Sequence, residues 1–130
     1  MKYYLTDTHA LYWYFINSPR LGAQANLAFD EADQGQALLY VPAIVLAELY
    51  YLNKKHGAPL DFAAVLAQLQ QSAQFVLLSF DANDVLDFEK HAAVPEMHDR
   101  MIVGAALRLG AACLTCDGQI MRSGLVSTIW

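Results

Sequence analysis

Four carboxylates in this 130-residue chain, Asp7, Glu48, Asp99 and Asp117, stand where an acid has either a local structural duty or a chemical one. Asp7 closes the run Lys2–Thr6 and precedes Thr8-His-Ala-Leu11, a position that suits a helix N-cap and equally a ligand at the end of a strand. Glu48 has Ile44, Val45, Tyr51 and Leu52 at helical spacing, so its carboxylate is expected on a buried face. There it needs a partner, either an arginine or a metal ion. Asp99 opens the helical pattern through Leu107, where the helix dipole favours an acid. Asp117 precedes Gly118, a pair common in turns. Singly, each acid has an ordinary explanation. Gathered together they would repel one another unless a cation sat between them. Oxygen donors of this kind, completed by water, suit one or two Mg²⁺ or Mn²⁺ ions.

The elements that would gather them follow from apolar periodicity and breakers. Strands are expected over Lys2–Thr6, Ala37–Val41, Phe75–Ser79, Ala112–Thr115 and Val126–Trp130, the last at an edge. Helices are expected over Thr8–Ile16, Gly22–Ala32, Pro42–Lys55, Leu60–Gln71, Ala82–His91 and Asp99–Leu109. Strand–helix alternation implies an α/β protein whose parallel sheet is covered on both faces. Ligands in such folds bind beyond the carboxyl ends of the strands, which is where Asp7 and Asp117 fall.

Length fits a single domain over residues 1–130, and an apolar fraction of 56% with 16% charged residues excludes disorder. The apolar stretch Leu38–Ala47 contains Pro42 and ends at Glu48, far short of the roughly 20 residues that span a membrane. Asp7 and His9 interrupt any signal-peptide core, so a cytoplasmic location is expected. The net charge of −5 argues against a broad basic footprint for nucleic acid, although four clustered acids would carry most of that excess. Cys113 and Cys116 form C-x-x-C, but on a strand they would face opposite ways, so both are expected in the core rather than in redox chemistry.

Three other α/β classes fail at particular positions. A receiver domain needs an acid pair after its first strand and a lysine after a late one, whereas Thr8 and His9 follow Asp7 and the last lysine is Lys90. A haloacid-dehalogenase-like phosphatase needs Asp-x-Asp where residues 7–9 read Asp-Thr-His. A nucleotide-binding fold needs glycines after the first strand, and that turn has none.

Four motifs in order are more specific than any acid alone. Leu5-Thr-Asp7-Thr-His9-Ala-Leu-Tyr-Trp13 resembles the opening motif of PIN-domain proteins, in particular VapC-type toxins of bacterial toxin–antitoxin pairs. Val41-Pro-Ala-Ile-Val-Leu-Ala-Glu48-Leu is similar to the second motif, His98-Asp99-Arg100-Met-Ile-Val-Gly-Ala-Ala106 to the third, and Leu114-Thr-Cys-Asp117-Gly-Gln-Ile120 to the fourth. The resemblance implies a three-layer α/β/α fold with a mostly parallel five-stranded sheet. It also implies Mg²⁺- or Mn²⁺-dependent ribonuclease activity leaving 5′-phosphate and 3′-hydroxyl ends, homodimers, and inhibition by a small antitoxin. Asp7, Glu48, Asp99 and Asp117 would be its catalytic and metal-binding residues. Two positions depart from the pattern: Ala93–Met97 is short, and Cys116 stands where a basic or polar residue often precedes the fourth acid. A PIN-like module that only binds RNA or protein, and a nuclease of RNA processing rather than a toxin, are the alternatives.

Around the acids, Thr8 and Thr115 could support carboxylates, although a helix-start and a strand threonine need no such role. His9 and His98 are expected in supporting or surface positions, and Glu96, close to Asp99, either reaches the edge of the site or lies in a solvated loop. Arg20, Lys54, Lys55, Arg100 and Arg122 are the available phosphate contacts. The run Leu11-Tyr-Trp-Tyr-Phe-Ile16 is apolar all round its helix; it is expected to meet a dimer or antitoxin partner, a fully buried helix being the other explanation.

Overall fold

The computed structural model describes residues 1–130. Strands β1 (Lys2–Thr6), β2 (Ala37–Pro42), β3 (Phe75–Leu78), β4 (Ala112–Leu114) and β5 (Thr128–Ile129) form one parallel sheet in the order β3-β2-β1-β4-β5. Between them run α1 (Thr8–Phe15), α2 (Ala23–Asp33), α3 (Ala43–Lys55), α4 (Phe62–Gln71), a 3-10 segment (Ala82–His91), α5 (Met97–Leu109) and α6 (Gly118–Ser123). The chain builds outward from β1 through β2 to β3, then returns to the other side of β1 for β4 and β5. Right-handed crossovers in opposite directions put helices on opposite faces. Accordingly α2 and α3 pack on β2 and α4 on β3, while α5 packs on β1 and β4. The result is the three-layer α/β/α arrangement expected.

Burial on both faces explains why the strands read as nearly continuous apolar runs. Leu5, Leu39, Val41, Cys113 and Leu114 are fully buried, and Leu11, Phe29, Val45, Leu49 and Leu69 cover them from the helices. Each such Leu, Val or Phe stabilises the fold by about 1.5–3 kcal/mol relative to exposure. Phe29 links the layers, stacking almost parallel to Tyr14 at 4.2 Å and packing against Phe75. A smaller group, Val94, Val103 and Ile120, binds α6 to α5.

The order of strands creates one special crevice. The first half of the chain leaves β1 in one direction and the second half in the other, so the carboxyl ends of β1 and β4 flank a topological switch point. The Asp7 amide donates to the Leu114 carbonyl at 3.2 Å and ties those two ends together.

Several local expectations change. Residues 82–91 form a helix as expected, but one wound as a 3-10 helix. The helix expected to open at Asp99 begins at Met97, because Glu96 caps it by accepting from the Asp99 amide at 2.8 Å. Glu96, exposed to solvent, is therefore the cap of α5. The turn expected at Asp117-Gly118 is the start of α6, and the last strand shrinks to Thr128–Ile129. Cys116 lies beyond β4 and is exposed, so only Cys113 belongs to the core. The aromatic run of α1 packs mostly within the chain: Leu11 and Tyr12 are buried, and Tyr14 stacks on Phe29 while its hydroxyl donates to Asp33. Its free face is thus smaller than the sequence implies.

Candidate active site

Asp7, Glu48, Asp99 and Asp117 line one cleft of about 630 Å³ at the switch point, large enough for a nucleotide-sized ligand. Each reaches it from a different element. Asp7 follows β1 and caps α1, with Oδ1 accepting from the Ala10 amide at 2.8 Å. Asp117 follows β4 and caps α6, with Oδ1 accepting from the Gln119 and Ile120 amides at 2.9 and 3.0 Å. Asp99 projects from the first turn of α5, and Glu48 from the middle of α3. Cap and site are therefore not rival explanations, since a carboxylate has two oxygens and a cap engages one of them here.

Glu48 departs from its expected setting. Its side chain is about a third exposed, and neither an arginine nor full burial accompanies it. Instead the buried Thr8 hydroxyl donates to Oε1 at 2.8 Å, while His98 Nδ1 lies 3.4 Å from Oε2 and 3.3 Å from Glu96 Oε1. The α3 face carrying Glu48 opens into the cleft, so the apolar neighbours Tyr51 and Leu52 line that space rather than seal it.

Thr115 has a similar duty on the other wall. Fully buried, its Oγ1 accepts from the Asp117 amide at 3.0 Å, and its hydroxyl lowers the neighbouring Asp7 carboxyl. Both threonines were legible as candidates from sequence, but their partners were not. His9, Trp13 and Lys55 complete the polar and aromatic lining, with Lys55 the only lysine or arginine in it. Arg100 is not part of this lining, and its guanidinium donates to the Val94 and Phe88 carbonyls.

Electrostatics record the crowding of negative charge. Burial pushes the Asp7 carboxyl up, against the pull of Thr115 and the Ala10 amide, with Asp117 adding a smaller upward push. Asp99 is raised to about 6, first by burial and then by the charges of Asp117, Glu96, Glu48 and Asp7. An all-oxygen donor set facing a single lysine fits a hard divalent cation in charge and chemistry. Its spacing is looser than the sequence implies: no three acidic, histidine or cysteine side chains converge closely enough to ligate one ion. Such a set fits an ion held by one or two carboxylates with water completing its shell, the habit of Mg²⁺.

Comparison with known proteins agrees with this architecture. The family model described as the PIN domain matches residues 4–123. Similar solved folds include VapBC2 from Rickettsia felis, bound to a DNA fragment from its promoter, at 16% identity and TM-score 0.65 over 97% of this chain and 96% of that one. FitAcB from Neisseria gonorrhoeae is 19% identical with TM-score 0.62 over 95% and 94%. PAE2754 from Pyrobaculum aerophilum is 16% identical with TM-score 0.63 over 98% and 83%. No curated protein sequence matches the chain.

Proposed function

This chain belongs to the PIN domain family, and from that premise we propose that it is a metal-dependent ribonuclease, the toxin of a toxin–antitoxin pair. The observation that carries the nuclease reading is the convergence of Asp7, Glu48, Asp99 and Asp117, from four separate stretches of sequence, on the crevice where β1 and β4 end. Among them these carboxylates would hold one or two Mg²⁺ or Mn²⁺ ions, each on one or two carboxylates and water, and such ions would supply charge neutralisation at the scissile phosphate and an activated water. Thr8 holds Glu48 in place, and Thr115 holds the chain entering Asp117. Lys55 offers the cleft its one permanent cation for a phosphate oxygen. Leu52 and Ile102 give the cleft apolar walls that limit water around the reacting phosphate.

The toxin assignment is supported by the motif resemblance to VapC-type proteins and by fold likeness to VapBC2 and FitAcB. It brings with it a small antitoxin as partner and a homodimer. Tyr51, 72% exposed at the mouth of the cleft, is the apolar side chain best placed for an antitoxin segment covering the site.

One observation favours a second reading, a PIN-like module that binds without cutting: no three ligating side chains converge. A cleavage assay separates the two. The chain is expected to cut RNA with Mg²⁺ or Mn²⁺, to stop on chelation, and to lose activity in Asp7→Asn with an unchanged far-UV CD spectrum. Cleavage that survives both chelation and Asp7→Asn rejects the proposed site; no cleavage of any RNA with either metal leaves the binding module.

A further inference from the structure

Beside the acidic cleft lies a second one of about 720 Å³, lined by Asn17, Arg20, Gly22, Asn26 and Trp130 together with Trp13. Trp13 alone lines both clefts. Its half-buried ring packs against His9 at 5.3 Å on the acidic side and against Trp130, edge-on, at 5.7 Å on the other. We propose that the two clefts form one RNA track, in which a base stacks at Trp13 while Arg20 holds a phosphate beyond it. The inference rests on the ribonuclease reading and assigns a subsite outside the four carboxylates.

Charge argues for this path. Of the eight lysines and arginines, Lys2, Lys90 and Arg108 are paired with acids and Arg100 is spent on backbone carbonyls. Lys54 sits over the Tyr50 ring, and Arg122 lines a separate, smaller cavity with Ala93 and Pro95. Arg20 and Lys55, both without an acidic partner, remain one to each cleft. With a net charge of −5, phosphate contacts are too few to hold a strand by themselves. Aromatic stacking supplies affinity that does not depend on positive charge, and every base has a face to offer. A tryptophan shared by an acidic cleft and an arginine-bearing one is where the two contributions meet.

Gly22 is what makes the second cleft's wall possible. A Cβ there would lie 2.4 Å from the Trp130 backbone carbon and 2.6 Å from its ring, so only glycine lets Trp130 settle against this turn and back Trp13.

The test uses an oligoribonucleotide of about ten nucleotides, a length that suits a track of this kind, bound in chelator so that it is not cut. Binding is expected to quench tryptophan fluorescence and to weaken about tenfold in Trp13→Ala, with Trp13→Phe recovering part of the loss. Because Arg20 is exposed, Arg20→Ala leaves folding intact. It should flatten the salt dependence from a slope of about −1.4, for two phosphate contacts, to about −0.7. With Mg²⁺ present, Trp13→Ala should raise the KM for RNA. Binding by Trp13→Phe and Arg20→Ala equal to that of the unaltered chain overturns the track and leaves the second cleft to protein contact. If RNA is cleaved normally in that case, the nuclease reading survives; if the oligonucleotide binds along the track but no RNA is cut, the track survives and the nuclease reading falls.

Discussion

Replacing Asp99 with Asn is expected to stabilise the metal-free protein at neutral pH while removing cleavage. Its carboxyl is raised from 3.8 to about 6 by burial and by four neighbouring acids. Keeping that carboxylate charged at neutral pH therefore costs the folded chain about 3 kcal/mol at most. The group is only half-buried, so solvent screening reduces this to about 1–2 kcal/mol. Against it stands the lost attraction of a first-turn carboxylate for the α5 dipole, about 0.3–1 kcal/mol. Repulsion and desolvation win, for a net gain of about 1 kcal/mol and a Tm rise of about 3–6 °C. Because the folded-state value lies above the unfolded one, the folded chain binds the extra proton between about pH 4 and 6, and stability falls as pH rises through that window. The gap between Asp99→Asn and the unaltered chain should therefore be absent near pH 4, open through pH 6 and level off above pH 7. Thermal melts in chelator across this range measure it, and added Mg²⁺ should close it by stabilising only the unaltered chain. A gap that does not change with pH, or a variant less stable at pH 7.5, refutes the account of the crowded carboxylates.

Three further outcomes follow from particular contacts. Thr8→Val removes the donor to Glu48 Oε1 at 2.8 Å and should lower kcat on RNA roughly tenfold, at a stability cost of about 1 kcal/mol seen by urea titration. Gly22→Ala drives a methyl group into Trp130 and should destabilise by about 1–3 kcal/mol, with altered near-UV CD from the displaced tryptophan pair. Of the two thiols, exposed Cys116 should react with a disulfide reagent in the native protein, whereas Cys113, buried and with its thiol pushed well above the usual range, should react only after unfolding.

The sequence carries the sheet and the four acids because both leave periodic or positional marks. Val41 and Leu114 sit in short apolar runs bounded by turn residues, and Asp7 and Asp117 each follow such a run. What sits next to each acid is set by packing, which leaves no such mark. The partner of Glu48 is Thr8, 40 residues away, and only the packing of α1 on α3 brings them together. Helix periodicity placed Glu48 on an apolar face correctly, but that face borders a cleft, and periodicity does not distinguish a cleft from a core. Similarly Asp117-Gly118 reads as a turn, because a six-residue helix is too short to show a period. The 3-10 winding of residues 82–91 has the same origin, since one apolar face there fits both kinds of helix. The aromatics of α1 read as an interface because nothing local reveals that Phe29 of α2 lies beneath Tyr14.

Helix ends explain how far the protein alone can hold these charges together. Asp7, Asp117 and Asp99 all stand at helix N-termini, where the dipole favours an anion by about 0.3–1 kcal/mol each. Glu48, in the middle of α3, has no such help and relies on Thr8 and His98. These supports do not cancel the repulsion, since Asp99 still rests at about 6 with the other three acids among the causes. A site built for a neutral ligand would relieve that excess with an arginine, and Arg100, next in sequence to Asp99, instead turns away to the Val94 and Phe88 carbonyls. The remaining negative charge faces the cleft with Lys55 as its only permanent counter-charge, so cations drawn from solution, each beside one or two carboxylates, are the groups that relieve it.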